Sequence, residues 1–312
     1  MRFSVYQESN IGGRKTNQDR MGYSFTRDTL LLLLADGMGG HIQGDAAATI
    51  ALQTIASLFQ RNATPYVKKP ERFLEESFFA AHHEIHRYRA INNLPETPRT
   101  TIVACLIQHN TAVWAHCGDS RLYWMRNGEI LTRTRDHSRI ETLIAQGKVD
   151  PSERDTHPER NKLFNCLGAP NMPIVEVSRS ASLQAGDVML LCSDGLWSIL
   201  PDHQLAHVLQ NNTIVRAVPQ LVHSAASIAG KLSDNVTALA MMWEGGDGDE
   251  IGDDPNSITT NALPLGAITT TIEVPRHADL EGADLYDDNA IEKAIEEIRL
   301  AIEKSSKVTG RG

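Results

Sequence analysis

Four aspartates stand where apolar runs end or begin: Asp36 after LLLLLA, Asp119 after AVWAHCG, Asp194 after VMLLCS, and Asp234 just before NVTALAMMW. A carboxylate at the lip of a buried strand is unfavourable unless a cation or hydrogen bonds neutralise it. Several of them, dispersed along the chain yet each at a strand end, point to one shared oxygen-rich site for hard divalent metals. Asp36 is followed by Gly-Met-Gly-Gly-His, and small residues there let the Gly37 carbonyl join the Asp36 carboxylate on a metal. Asp194-Gly195 repeats that logic, while Asp234-Asn235 enters from the other direction, before its strand. Antiparallel neighbours would bring these ends together. Oxygen-only ligation favours Mg2+ or Mn2+ over Zn2+ or Cu2+. Two such ions would hold a bridging water, lower its pKa and aim it at a phosphorus atom. A phosphomonoester also needs a cation on its oxygens, and Arg14 in RKTNQD is the best candidate, because guanidinium binds phosphate bidentately. A lone Asp-Gly is only a turn and a lone loop arginine is usually solvated. The ensemble carries the inference.

Elements able to position these groups can be read from periodicity. Strands are expected at 29–35, 101–107, 111–117, 121–125, 129–133, 188–193 and 236–243, with Asn127-Gly128 as a two-residue hairpin turn. Helices are expected at 45–60, 71–92, 138–147, 202–210 and 219–229, the last with Pro219 in its first turn. Helices fall in blocks between hairpin-linked strands, which favours an α+β fold with antiparallel sheets over a doubly wound parallel one. Strands apolar on both faces, such as LLLLLA, should be covered on both sides. The polar, proline-punctuated stretch 135–167 is expected as an insertion over a surface.

The 312 residues are 41% hydrophobic and 22% charged, ordinary values for a soluble globular protein, and no apolar run reaches membrane-spanning length. Cys105, Cys117, Cys166 and Cys192 form no C-x-x-C pair, and three of them lie in apolar strand-like runs and read as buried reduced thiols, so a cytoplasmic location is expected. Residues 245–312 hold 15 acids against 6 bases, which accounts for the whole net charge of −9. The neutral body and acidic tail offer no basic stripe for nucleic acid. The expected organisation is a body over 1–244, an acidic and threonine-rich linker over 245–288, and an amphipathic helix over 289–307. Ile291, Ile295, Ile298 and Ile302 form one stripe on that helix, which could bind a partner or dock on its own domain. Deleting 245–312 is expected to leave turnover of a small substrate nearly unchanged.

GRKTNQD, ADGMGGH, TTIVACLI, HCGDSRLYW, RDHS, LLCSDGLW and SDNVTALAM, in this order and spacing, resemble the metal-dependent PP2C family of protein serine/threonine phosphatases, its short bacterial branch in particular. The resemblance spans about residues 1–244. It implies a four-layer α-β-β-α sandwich with the metal centre in a cleft at one end of two antiparallel sheets. It implies that Asp36 bridges two metals, that Gly37 contributes its carbonyl, and that Asp194 and Asp234 complete the core site. Asp119 matches an aspartate that, with Asp194, holds a weaker third ion. Arg14 matches the phosphate-binding arginine, Asp19 an acid that orients metal-bound water, and 135–167 the family's flap. The implied activity is Mg2+- or Mn2+-dependent hydrolysis of phosphoserine and phosphothreonine in proteins, by a metal-bridging water without a phospho-enzyme. The implied opponent is a serine/threonine kinase.

Three departures stand out. Gln18 replaces the family's usual Glu and removes a negative charge beside the cations, so weaker metal affinity is expected. Met38 replaces the histidine of eukaryotic members, leaving His41 as the candidate general acid for the leaving oxygen. Arg99 stands where the family prefers glycine. The HHEIH stretch (His82, His83, His86) misses the zinc-protease spacing by one residue and is expected to be an exposed polar face. Two rival readings are a non-catalytic phosphoprotein-binding adaptor, encouraged by Gln18, and a metallohydrolase of a small phosphoester.

Overall fold

The computed structural model describes residues 1–38, 43–154, 157–159, 162–245, 256–264 and 266–272. The chain begins with β1 (Arg2–Asn10), β2 (Asp19–Phe25) and β3 (Thr29–Asp36), followed by α1 (Gly44–Asn62) and α2 (Pro70–Ile91). Next come β4 (Ile102–Gln108), β5 (Thr111–Cys117), β6 (Arg121–Arg126), β7 (Glu129–Arg133) and α3 (Arg139–Ala145). Short β8 (Glu176–Val177) and β9 (Ala181–Ser182) precede β10 (Val188–Cys192), α4 (Asp194–Trp197), α5 (Asp202–Asn211) and α6 (Ile214–Ala229). The described chain closes with β11 (Val236–Gly245), β12 (Ile258–Thr259) and β13 (Thr269–Thr270).

Two antiparallel sheets face each other. One has the order β12-β1-β11-β10-β6-β7, the other β13-β2-β3-β4-β5-β8, with β9 also on β5. Strand β3 shows why both layers are needed. Its alternate residues Leu30, Leu32 and Leu34 enter the core between the sheets, while Leu31, Leu33 and Ala35 face α1 and α2. Strand β11 does the same from the other sheet: Leu239, Met241 and Trp243 point between the sheets, and Val236, Ala238 and Ala240 pack under α5 and α6. A strand with two buried faces must be apolar throughout, and these are. The result is the α-β-β-α sandwich expected from the motifs.

Three local expectations need correction. The helix expected from 219 starts at Ile214, so Pro219 lies inside α6. An internal proline forfeits a backbone hydrogen bond. The helix persists because Ile214, Ala217, Val218, Leu221, Val222 and Ala225 bury a continuous face against β11 and its neighbours. Strands β1 and β2 were not expected, since RFSVYQESN and DRMGYSF carry mixed, weakly alternating patterns. The HHEIH face is not exposed: His82 is buried and its Nδ1 accepts a hydrogen bond from the Gly168 N–H at 3.1 Å. Its neighbour His86 donates from Nε2 to the Ala169 carbonyl at 2.9 Å, so these histidines hold the chain just after the insertion.

The described part of the stretch expected as a linker joins both sheets. β12 pairs with β1 at Arg2 and Phe3, and β13 pairs with β2 at Phe25 and Ser24. Between them, Thr260 takes a hydrogen bond from the Met1 ammonium at 3.0 Å and its hydroxyl lies 2.7 Å from the Arg27 carbonyl. Ile272 then enters the helix-side core directly over Gly22, where a Cβ would lie 2.5 Å from Ile272 Cγ1. The helix expected over 289–307 lies outside the described residues. No described helix is long and apolar enough to cross a membrane.

Candidate metal centre and active site

The sheets bring the predicted carboxylates to one end of the sandwich. In one sheet Asp36 closes β3 and stands opposite Asp19, the first residue of β2. In the other, Asp194 follows β10, Asp234 precedes β11 and Asp119 precedes β6. Because β10 runs antiparallel to both β11 and β6, the end of the first lies beside the starts of the other two. Three distant sequence segments therefore meet for a topological reason.

Their electrostatics record that proximity. Burial, then the charges of Asp19, Asp194, Asp119 and Asp234, hold Asp36 well above the ordinary carboxylate range. Burial and the charges of Asp234 and Asp19 push Asp194 up to about 7. Asp19 rises to about 6, chiefly through burial, against hydrogen bonds that favour its charged form. Asp119 also lies well above its usual range, from burial and the neighbouring charges of Asp194 and Asp136. One Asp19 oxygen accepts from Ser193 Oγ at 2.9 Å, while the other, Oδ1, is buried without a partner in the protein. Mutually repelling carboxylates with an orphaned buried oxygen and no nitrogen or sulfur donor among them fit a hard divalent cation.

Arg14 reaches the same place. Its Nε and Nη2 donate to the two Asp234 oxygens at 2.7 and 2.6 Å, a bidentate pair on the open side of the cluster. The guanidinium thus stands at the mouth of the acid cluster, held by a residue predicted as a metal ligand. Gly37 donates its N–H to the Gln18 carbonyl at 3.2 Å and forms a bridge with Thr100. Met38 donates to the Arg99 carbonyl at 3.0 Å, so the unusual arginine contributes backbone at this position. His41 lies outside the described residues.

Two supporting residues were missed from sequence. Asn235 accepts from the Gln18 N–H at 2.8 Å and donates to the carbonyls of Ile11 and Thr16 at 2.9 and 3.1 Å. It ties the loop bearing Arg14 to the strand beside Asp234. Ser193 accepts from the Thr237 N–H at 3.0 Å while donating to Asp19, linking the two sheets. Their position beside Asp194 and Asp234 was the available signal. Gln18 serves the loop through its backbone N–H and carbonyl, which any residue supplies. On the far side of Asp119, Trp197 donates from Nε1 to the Asp119 carbonyl at 2.9 Å. The Arg121 guanidinium lies 3.5 Å over the Trp197 ring and binds both Asp136 oxygens, at 2.8 and 2.7 Å.

Comparison with known proteins agrees with this architecture. The family model described as Protein phosphatase 2C matches residues 6–234. The serine/threonine phosphatase stp of Listeria monocytogenes is 30% identical over 230 residues, 72% of this chain and 90% of that protein. The solved serine/threonine phosphatase of S. agalactiae aligns with a TM-score of 0.71 at 27% identity, covering 78% of this chain and 100% of that one. The catalytic domain of the phosphatase PstP, solved in complex with two manganese ions, aligns at 0.66 with 28% identity over 78% of this chain and 99% of that one. With carboxylates, arginine and sandwich all in place, the chain belongs to the protein phosphatase 2C family.

Proposed function

We propose that this protein hydrolyses phosphoserine and phosphothreonine in proteins, with two Mn2+ or Mg2+ ions in the carboxylate cluster and a weaker third at Asp119. The observation that carries the reading is the convergence of Asp19, Asp36, Asp119, Asp194 and Asp234 beside Arg14. In this reading Asp36, the Gly37 carbonyl, Asp194 and Asp234 hold the core ions, and Asp119 with Asp194 holds the third. When bound, such ions supply Lewis acidity, charge neutralisation and a water of lowered pKa. Arg14 exchanges Asp234 for the phosphoryl oxygens, a swap its exposed bidentate geometry favours. Asp19 orients the attacking water through its unpartnered oxygen, and His41 protonates the leaving serine or threonine oxygen.

A cysteine nucleophile has no support, because all four thiols are buried. Burial pushes Cys166 up to about 11 and also raises Cys105, Cys117 and Cys192 well above the ordinary thiol range, so the attacking thiolate would be scarce. A cytoplasmic setting opposite a serine/threonine kinase, and a tail helix over 289–307 that binds a partner, complete the proposal. The test is turnover of p-nitrophenyl phosphate and of a phosphothreonine peptide with Mn2+, repeated with chelator and with Asp36→Asn. Both treatments should abolish both activities. Activity that survived either would belong to another centre, and indifference to phosphopeptides would favour a small phosphoester as substrate.

A further inference from the structure

Among the described residues, His116, His137 and Glu176 bring potential ligand atoms within 4.8 Å of one another, outside the carboxylate cluster. The hydrogen bonds around them decide their chemistry. Nδ1 of His137 receives the Gly118 N–H at 3.2 Å and the Asn165 side-chain amide at 2.6 Å. The Asn165 amide is oriented independently, since it donates to the Ile174 carbonyl at 2.7 Å and accepts from the Ile174 N–H at 2.9 Å. A nitrogen accepting two N–H donors carries no proton, so in the neutral ring the proton sits on Nε2, which lies 3.3 Å from Glu176 Oε1. His116 likewise donates from Nε2 to the Arg135 carbonyl at 2.7 Å. Neither Nε2 has a lone pair for a metal. The grouping is a clamp.

What the clamp holds gives it a role. The His137 N–H donates to the Gly118 carbonyl at 2.9 Å, so the two residues grip each other in both directions. Gly118 precedes Asp119 and has φ of +117°, a conformation that a side chain would strain; an added Cβ would also strike Thr101. The His137 carbonyl accepts from the Phe164 N–H at 3.1 Å, beside Asn165. One buried residue therefore joins the entry of the insertion, its exit and the turn that presents Asp119. Burial lowers the His137 pKa to about 4, which keeps the ring neutral in the tautomer described.

We infer that His137 is a positioning residue: its unprotonated Nδ1 locks the Asp119 turn to both roots of the 135–167 insertion, so that these roots and the Asp119 carboxylate keep one geometry. The inference rests on the metal-dependent reading of the site. Three variants separate it from simple packing. His137→Asn keeps an acceptor near the Nδ1 position, His137→Leu keeps bulk without one, and Asn165→Leu removes a single donor at the exit root. The Mn2+ concentration for half-maximal turnover should rise roughly 10-fold or more in His137→Leu, the usual effect of losing a residue behind a metal ligand. The phosphopeptide KM should rise more than that for p-nitrophenyl phosphate. His137→Asn should recover most of both effects, and Asn165→Leu should shift them in the same direction by less.

Nitrogen-15 NMR of the histidine rings in the full chain, with chelator present, reads the tautomer independently of activity. It should find His137 protonated on Nε2, with a slowly exchanging Gly118 amide. An Nδ1–H tautomer would overturn the inference. So would equal behaviour of the Asn and Leu variants, or an unchanged Mn2+ requirement in an active Leu variant. Inactivity of the wild type with an Nε2–H ring would instead strike the phosphatase reading and leave the clamp standing.

Discussion

The carboxylate end of the sandwich and the strap formed by residues 256–272 satisfy their polar groups in opposite ways. At the first, acidic side chains raise one another's pKa and Asp19 keeps a buried oxygen without a partner. At the second, Thr260 serves Met1 and Arg27, and Glu244 takes hydrogen bonds from Ser4 and Ser257. Thr271 and Tyr23 exchange backbone and side-chain bonds, and Ile272 adds apolar burial over Gly22. The acid cluster is a folded arrangement held under electrostatic strain until a cation relieves it. The strap is stabilising without help. Electrostatic tension and stabilising contacts are thus separated along the chain.

Breaking the cluster should have the largest effect. Asp36→Asn should lower Mn2+-dependent turnover by more than about 100-fold, beyond the range for residues that merely support a ligand. In chelator the same variant should melt no lower than the wild type, since it removes a repelling charge. A large drop in its metal-free melting temperature would show that Asp36 stabilises the fold. Breaking the strap should reverse that pattern. Ile272→Ala should lower stability by about 2 kcal/mol, the low end for large-to-small core changes at this edge site. Its kcat at a temperature where it stays folded should match the wild type. Deleting 256–312 should destabilise more than deleting 273–312, an effect on stability that the sequence-based expectation of nearly unchanged small-substrate turnover without 245–312 does not address. Chemical denaturation of the truncations checks this directly.

Metal should sharpen the contrast. Mn2+ at about 100 times its dissociation constant should stabilise the wild type by about 2.7 kcal/mol, and the gain should persist in Ile272→Ala but vanish in Asp36→Asn. Acid supplies a smaller test through His82. Burial, then the nearby His86 and His83, push its pKa down to about 3, so the folded state resists protonation that the unfolded chain accepts near 6.5. For a base with a depressed folded pKa, stability is complete above the unfolded value and falls as pH drops toward the folded one. The contribution of His82 to stability should therefore decline between about pH 6.5 and 3, with a slope of at most about 1.4 kcal/mol per pH unit, while the raised Asp19 and Asp194 carboxylates act in the opposite direction. His82→Asn keeps an acceptor for the Gly168 N–H without titrating, and its urea midpoint should depend less on pH over that window.

The parts legible from residues alone were those governed by local pattern. The runs of β3, β10 and β11 were readable because burial on two faces leaves no room for polar side chains. The aspartates at their ends were readable because a carboxylate in such a place demands compensation. The invisible parts depend on partners remote in sequence. Strand β1 is polar at many positions and exists because β11 pairs with it from Arg2 to Asn10. Residues 269–270 look like loose threonine-rich chain until the β2 edge supplies hydrogen bonds. Pro219 reads as a helix start until a buried face outweighs the bond it forfeits.

By itself the sequence determined the chemistry on offer: hard oxygen donors, an arginine of the type that can bind phosphate, and the apolar strands beside them. Only the tertiary structure decided that Arg14 rests on Asp234, that Ser193 and Asn235 tie the site together, and that His137 faces Gly118 through an unprotonated nitrogen. Residue type sets which bonds a group can make. Which group stands opposite is set by strand order and register, and those follow from the packing of the whole chain.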